Sequence, residues 1–159
     1  GIDNGIILTN CKYLPMKPKN VFVKGAISPS FISNSIAKHQ SKTDIGAHNI
    51  FLGQVRADTI KGKTVSAIEY SAYEPMANTK FHEIREATFK KYGLSCMHIY
   101  HSLGTVKVGE VCLFVFVSAP HRKVVFEALQ FVVEEIKKVV PVFGKELFID
   151  DSYQSKTNT

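Results

Sequence analysis

The alternation of hydrophobic and polar residues along the chain predicts three helices separated by strands. Ser28 followed by Pro29 is typical of an N-cap and a first helical residue, and we expect this helix to end near residue 39. Hydrophobic residues at helical spacing predict a second helix over 75–91 and a third, the longest, over 120–140.

Short hydrophobic runs around these helices predict strands at 21–24, 48–55, 65–73, 95–103, 110–118 and 146–150. A polar connection at 57–63 and a turn region at 104–109 join neighbouring strands. Short links of this kind make antiparallel hairpins, so we predict an α+β fold rather than a doubly wound parallel sheet. The chain contains no glycine-rich phosphate-binding loop, which argues against the common nucleotide-binding motifs.

A chain of 159 residues fits one domain, and its two ends differ from the middle. Residues 1–19 hold two prolines among lysines, and residues 151–159 are polar. We therefore predict a loosely ordered N-terminal extension at 1–19, a folded domain at 20–150 and a polar C-terminal tail at 151–159.

Composition narrows the class of protein more than its function. Apolar residues make up 45% of the chain and charged residues 21%, which is ordinary for a globular protein. The net charge of +6 favours an anionic partner: a phosphorylated small molecule, a nucleic acid, an acidic protein or an anionic membrane surface. No apolar run approaches the ~20 residues that span a bilayer, and no secretion signal is visible, so we expect a cytoplasmic protein.

The spacing of cysteines and histidines predicts neither a disulfide framework nor a metal site. The three cysteines show no paired spacing and are expected to be buried thiols. His98 and His101 are three apart on a predicted strand, so we expect them to face opposite sides. The remaining histidines, His39, His48 and His82, are predicted to form no cluster.

His121 and Arg122 lie where the strand at 110–118 passes into the longest helix. We expect Ser118 to cap that helix. Unpaired amide N–H groups, the positive end of the helix dipole and Arg122 together favour an anion-binding site. The alternative is an ordinary solvated helix start.

Three further cations are candidates for chemistry. Arg56 ends a strand, where it can bind phosphate or carboxylate or form a surface salt bridge. Lys137 borders the hydrophobic stripe in the last turn of the longest helix. A lysine there can have a lowered pKa and serve as proton donor, acceptor or nucleophile, or it can simply complement the helix dipole. Lys145 is the second lysine of this corner.

The distance between Arg122 and Lys137 limits how they can cooperate. They are fifteen residues apart on one predicted helix, which separates them by ~22 Å along its axis. One small ligand cannot touch both residues of a single chain. Either they are separate features, or a second copy of the chain brings its His121 and Arg122 to this chain's Lys137, as a two-fold dimer would do twice.

Five segments, in their order and spacing, resemble the large, catalytic subunit of molybdopterin synthase. The resemblance covers roughly residues 20–148. The segments are GQVR (53–56), IEYSAYEPMA (68–77), HSLGTVKVGE (101–110), SAPHRKVVFEA (118–128) and IKKVVPVFGKE (136–146).

The resemblance implies an α+β fold of the hammerhead type and a central homodimer. A small ubiquitin-like sulfur-carrier subunit binds at each end of that dimer and completes a heterotetramer. The carrier's C-terminal thiocarboxylate enters a pocket of the large subunit. Two sulfurs are transferred to cyclic pyranopterin monophosphate to form the dithiolene of molybdopterin. No cofactor is expected, because the carrier tail is the sulfur donor.

Residue by residue, the resemblance implies that Lys137 and Lys145 are catalytic. It implies that Arg56 binds substrate, together with His121 and Arg122 from the partner subunit. The family pattern of proline, one residue, tryptophan and lysine is here Pro-Val-Phe-Gly-Lys at 141–145, one residue longer and without tryptophan. Two alternatives remain open: a basic module that binds nucleic acid without catalysis, and a dimeric scaffold that binds the carrier without turnover.

Overall fold

A largely antiparallel sheet of eight strands organises residues 18–156, the part of the chain that this computed structural model describes. The strands are β1 (Phe22–Lys24), β2 (Ala47–Gln54), β3 (Thr59–Ile60), β4 (Lys63–Ala72), β5 (Cys96–Lys107), β6 (Val111–Ala119), β7 (Val142–Phe148) and β8 (Tyr153–Ser155). Their order across the sheet is β2-β6-β5-β4-β7-β8, with β1 parallel to β5 and β3 paired to β4.

Three helices cover the sheet: α1 (Pro29–His39), α2 (Glu74–Lys91) and α3 (Arg122–Val139). The predicted α+β class is therefore confirmed. Ser28 caps α1 as expected, because its hydroxyl accepts a hydrogen bond from the Phe31 N–H at 3.1 Å. Within residues 18–156, no helix has the length and apolar character needed to cross a membrane.

The sheet separates two hydrophobic clusters, because successive side chains of each strand point to opposite faces. On one face, α2 and α3 pack over Val115 and Val117 of β6. On the other face, α1 packs over Phe114 and Phe116. The buried stripe of α3 matches the predicted spacing at Val125, Ala128, Val132 and Ile136, while Val139 is exposed.

The start of α3 differs from the prediction. The helix begins at Arg122 with His121 as its N-cap residue, and no side chain caps it. Ser118 is fully buried inside β6, where its hydroxyl lies 2.6 Å from His48 Nδ1. The expectation that Ser118 caps the helix was therefore wrong, because the strand continues one residue beyond it and turns its hydroxyl into the sheet face under α1.

Gly46 fixes the turn between β6 and α3. Its N–H donates to the Ala119 carbonyl at 3.0 Å, and a Cβ atom at this position would overlap the carbonyl oxygen of Pro120. The backbone of the segment before β2 therefore lies directly against the turn that leads into α3.

Strand β5 continues through the region predicted to be a turn. Its first half pairs with β6, and residues 104–107 pair with β4. Gly104 has a positive φ of 85° at the point where β5 changes partner. The chain reverses only at Gly109, and the expected turn at 104–109 was wrong in its first half.

The C-terminal part of the sheet extends beyond the prediction. β7 begins at Val142 rather than near 146 and pairs with β4. β8 lies within the segment predicted to be a polar tail, and it pairs with β7 through Lys145↔Ser155 and Leu147↔Tyr153. The predicted N-terminal extension lies, up to residue 17, outside the described residues.

Candidate active site

Two adjoining cavities open beside the C-terminal end of α3. The larger, of about 390 Å³, includes Lys137, Lys138, Phe143 and Gly144 in its lining. Its neighbour, of about 290 Å³, includes Arg56, Asp58, Cys112 and Glu146. Four side chains line both, so the two form one continuous site; they are Tyr70, His101, Lys137 and Lys156.

Lys137 occupies the last turn of α3, one residue after buried Ile136. Its side chain contributes to the lining of both cavities. Burial lowers the pKa of Lys137, nearby Cys112 opposes that effect, and positive Lys156 lowers the pKa further. A larger fraction of this lysine is therefore neutral near physiological pH than of an ordinary surface lysine, which suits proton transfer.

His101 lies on β5 beneath Lys137 and is only 5% exposed. Its Nδ1–H donates to the Ser102 carbonyl at 2.8 Å in the neutral ring. Burial lowers the pKa of His101 to about 4, against the effect of that hydrogen bond, and Lys137 lowers it further. The ring is therefore neutral at physiological pH, and in this tautomer Nε2 is an acceptor.

Tyr70 and Cys112 form a short hydrogen-bonded chain on the floor of the site. The Tyr70 hydroxyl donates to Cys112 Sγ at 3.3 Å, and Cys112 Sγ donates to the Gly53 carbonyl at 3.4 Å. Burial raises the pKa of Tyr70 above its ordinary value, with further contributions from Cys112. Tyr70 therefore remains a neutral hydroxyl at physiological pH.

Arg56 lies at the rim of the site, two residues after the end of β2. Its Nη2 is 3.2 Å from Asp58 Oδ2, and its side chain is 74% exposed. An exposed ion pair of this kind is weak, so an incoming anion can compete with Asp58 for the guanidinium. The structure thus brings two of the predicted residues, Arg56 and Lys137, to the same cavity.

Lys145 lies on the opposite face of β7. Its Nζ is 3.6 Å from Glu69 Oε1 and 4.6 Å from the centre of the Tyr153 ring. It does not contribute to the lining of either cavity. The structure therefore does not bring Lys145 together with Lys137 within one chain.

His121 and Arg122 are exposed at the other end of α3 and do not line the Lys137 site. The helix is continuous from Arg122 to Val139, so the separation of ~22 Å along its axis holds. Within one chain these two residues cannot reach a small ligand at Lys137.

The residues of the site that sequence reasoning missed come mostly from strands. Tyr70 and His101 lie inside two of the five segments that carry the resemblance, but no residue beside them marked them as cavity residues. Their proximity is visible only in the folded chain, where the centres of the Tyr70 and His101 rings are 5.2 Å apart. No sequence pattern indicated Lys156 as a site residue. It follows β8, and the polar residues of β8 did not predict a strand.

A cluster of histidines lies on the other face of the sheet, contrary to expectation. His39 Nε2 is 3.1 Å from His98 Nε2, and the His39 and His48 rings are 6.1 Å apart. His39 Nδ1–H donates to the Ser35 carbonyl at 2.7 Å, so its Nε2 accepts from His98. The expectation of no cluster was wrong because helix α1 brings His39 onto the strands.

Two histidines of this cluster lie close to a cysteine, and together they offer possible metal ligands. In residues 18–156, the one group of three ligand side chains that lie close together is His39, Cys96 and His98, whose ligand atoms are within 4.8 Å of one another. His39 Nε2 and His98 Nε2 already form a hydrogen bond with each other, in which His98 donates and His39 accepts. The group lies under α1, on the opposite side of the sheet from the Lys137 site.

The arrangement around Lys137 is suited to an anionic ligand that undergoes proton transfer. Arg56, Lys137, Lys138 and Lys156 supply positive charge, and His101 supplies a neutral acceptor, while the Tyr70 O–H already donates to Cys112 Sγ. Positive groups fixed around a partly desolvated cavity stabilise negative charge more strongly than the same groups in water.

Comparisons with known proteins identify the family that the chain resembles in sequence. The family model described as MoaE protein matches residues 27–139. A protein from Aedes aegypti named molybdopterin synthase catalytic subunit 1 is 41% identical over 118 residues, which are 74% of this chain and 74% of that protein.

Solved structures show the same fold. The crystal structure of molybdopterin synthase from Staphylococcus aureus superimposes with a TM-score of 0.74 at 28% identity, covering 90% of this chain and 99% of that chain. A complex of subunits 1 and 2 of the molybdopterin-converting factor from Helicobacter pylori also has a TM-score of 0.74, at 19% identity, and covers 86% of this chain and 88% of that chain.

Proposed function

We propose that this chain, which belongs to the MoaE protein family, is the catalytic subunit of a molybdopterin synthase and works as a sulfurtransferase. The five segments that resemble the family in sequence lie within or beside the matched region. The proposed reaction moves sulfur from the thiocarboxylated C-terminus of a small ubiquitin-like carrier to cyclic pyranopterin monophosphate. A cytoplasmic location remains a prediction.

The observation that carries the proposal is the position of Lys137. A lysine with a lowered pKa lies in a cavity that it shares with Arg56 and a neutral histidine, His101. Both proposed reactants are anionic, since one carries a phosphate and the other a thiocarboxylate. Bringing them together costs electrostatic repulsion, which the cations of the cavity offset.

Lys137 can act in either protonation state. As an ammonium it stabilises negative charge that develops when the carrier's acyl–sulfur group reacts. As a neutral amine it accepts a proton during ring opening of the pterin. Tyr70 and His101 lie in the same lining and can orient polar groups of the substrate without adding charge.

The site is proposed to be completed by a second copy of the chain. Within one chain, His121 and Arg122 are too far from Lys137 to share a ligand, although they lie at a helix start that favours anions. In a two-fold dimer, each Lys137 cavity receives His121 and Arg122 from the partner, and two equal composite sites result.

The carrier is proposed to approach from the rim formed by Phe143 and Tyr73. Phe143 lines the larger cavity and is 51% exposed, and its ring contacts that of Tyr73, which is 66% exposed. Exposed aromatic residues beside a cavity are typical of surfaces that bind another protein. A flexible tail bound at this rim extends directly toward Lys137.

The test is reconstitution. The chain is mixed with thiocarboxylated carrier and cyclic pyranopterin monophosphate, and dithiolene product is measured. We expect product with thiocarboxylated carrier and none with the same carrier ending in an ordinary carboxylate. Absence of product with active carrier, at protein concentrations that maintain the dimer, contradicts the proposal.

A further inference from the structure

Lys156 fills the space beside Gly144 in the Lys137 site. Its backbone N–H donates to the Gly144 carbonyl at 2.8 Å. A Cβ atom added at Gly144 would lie 3.3 Å from Lys156 Cδ and 3.4 Å from Lys156 Cβ. The Lys156 side chain therefore runs where a side chain at position 144 would begin.

The register of β4 and β7 shows which face of the sheet each position serves. Tyr70 is paired with Gly144, and Glu69 is paired with Lys145. Directly paired residues lie on the same face. Because Tyr70 lines the site, position 144 is the one at this point of β7 that faces the cavity, and Lys145 faces away from it beside Glu69.

Lys145 aligns with the lysine of the resembled pattern when one extra residue is allowed; counted from Pro141 without that residue, the lysine of the pattern falls at position 144. In the pattern of proline, one residue, tryptophan and lysine, the lysine is three residues after the proline. Three residues after Pro141 this chain has glycine. β7 therefore presents no cation at this point of the cavity, and the cation found there comes from the residue that follows β8.

We propose that Lys156 is the second cation of the active site and binds a negatively charged reactant beside Lys137. It takes the role that the sequence assigned to Lys145. This inference rests on the proposed function, because it names a further residue of the same site.

The charges that face Lys156 are compatible with this role. Positive groups outnumber negative ones in the combined lining, and one of the two carboxylates, Asp58, is already paired with Arg56. The other, Glu146, is buried and lies 3.5 Å from Gln154 Nε2. The titratable and charged groups of the lining are Arg56, Asp58, Tyr70, His101, Cys112, Lys137, Lys138 and Glu146.

The main test compares Lys156→Ala with a matched control, Lys24→Ala, which removes an exposed lysine from β1 outside both cavities. We expect Lys156→Ala to lower kcat/KM by about ten- to hundredfold, the effect of losing one hydrogen bond to a charged group. The control is expected to stay within about twofold of wild type. A larger KM for the pterin identifies its phosphate as the ligand, and a larger KM for the carrier identifies the thiocarboxylate.

A rescue variant separates charge from folding. Removal of the Lys156 side chain frees the space over Gly144, and Gly144→Lys then places an ammonium in the same cavity from β7. Its Cβ would lie 3.2 Å from Ile68 Cγ2, so a shift of a few tenths of an ångström is needed. We expect Gly144→Lys with Lys156→Ala to recover at least tenfold over Lys156→Ala alone.

A second readout does not depend on turnover. Lys156 lowers the pKa of Lys137, so Lys156→Ala should raise the pH at which Lys137 becomes reactive toward acetic anhydride, measured by mass spectrometry. Two results overturn the inference. One is unchanged reactivity of Lys137 in the Lys156→Ala variant. The other is full activity of Lys156→Ala under conditions in which wild type makes product. A greater loss in Lys145→Ala than in Lys156→Ala also overturns it. If wild type itself makes no product, the proposed function fails instead.

Discussion

The two ends of helix α3 carry the same kind of charge in different surroundings. At its C-terminal end, Lys137 lies in a cavity with buried His101, and its pKa is lowered. At its N-terminal end, His121 and Arg122 are exposed and line neither cavity of the site. One end lies in the proposed reaction site, and the other carries exposed cations outside both of its cavities.

This difference shows why one chain is an incomplete enzyme in the proposed mechanism. Burial near Lys137 changes its proton affinity, which is a requirement for chemistry. Exposure leaves the Arg122 guanidinium accessible, which is a requirement for contributing to a site elsewhere. A rigid helix of eighteen residues holds the two functions apart and lets a two-fold dimer join them.

The largest expected effect is at the C-terminal end of α3, where Lys137 lines the cavities. Lys137→Ala should lower kcat by about 10²–10⁴-fold, the range for loss of a general acid or base. The matched control is Lys90→Ala, because Lys90 lies in the last turn of α2, a helix of the same length, and is exposed. Product formation is measured for both variants. Near wild-type activity in Lys137→Ala would remove the chemical contrast between the two ends.

The second prediction concerns pH and stability. The pKa of His101 is about 4 in the folded protein, below its value in an unfolded chain. The unfolded state therefore binds more protons in acid, and the stability present above pH 6.5 is lost as the pH falls through 4. The total loss is about 3 kcal/mol from this group.

Chemical denaturation between pH 8 and 4 measures this loss. His101→Gln should flatten the profile, whereas His121→Gln, at the exposed end of α3, should leave it unchanged. Should His101→Gln fail to fold, an NMR titration of the wild-type ring gives the pKa directly. A ring that titrates near 6.5 would contradict the burial argument.

The third prediction tests whether the two ends meet in a dimer. Arg122→Ala and Lys137→Ala chains, each weakly active alone, are mixed and allowed to exchange. Half of the dimers become hybrids, each with one intact site of two, so about a quarter of wild-type activity should return. Native mass spectrometry verifies the hybrids. Verified hybrids that gain no activity would show that Arg122 does not complete the Lys137 site of its partner.

The smallest expected effect is at the rim. Arg56→Ala should raise the KM for the pterin about tenfold and leave kcat nearly unchanged, because exposed Arg56 contributes binding rather than chemistry. Arg56→Lys keeps the positive charge but cannot form the bidentate hydrogen bonds of a guanidinium. It should therefore recover part of the affinity for the pterin that Arg56→Ala loses. A fall in kcat at unchanged KM would instead move Arg56 into the chemical step.

The helices and most strands followed from the pattern of hydrophobic positions, because burial on one face imposes a regular spacing. β8 did not, since its three residues are polar and only pairing with β7 makes them a strand. The change of partner at Gly104 was also invisible, because a strand that bends between two neighbours has no distinct local pattern.

For the site, the sequence indicated candidate cations but not the face of the sheet on which each side chain lies. The position of Lys137 at the edge of the buried stripe could be predicted because its helix has a strong hydrophobic stripe from which that position can be counted. Lys145 was assigned to the same corner from proximity along the chain, whereas the pairing of β7 with β4 places it on the other side of the sheet. Lys156 depends on a contact between strands that no local pattern records.

Gly46 has a consequence for any engineered or naturally varied form of this protein. A methyl group at that position would overlap the Pro120 carbonyl oxygen, so either the segment before β2 or the turn that leads into α3 must shift. If the turn shifts, a Gly46→Ala protein in the proposed dimer would retain the residues that line its own Lys137 cavity but present His121 and Arg122 to its partner in a changed position. One methyl group outside both cavities would then impair a site proposed to be built from two subunits.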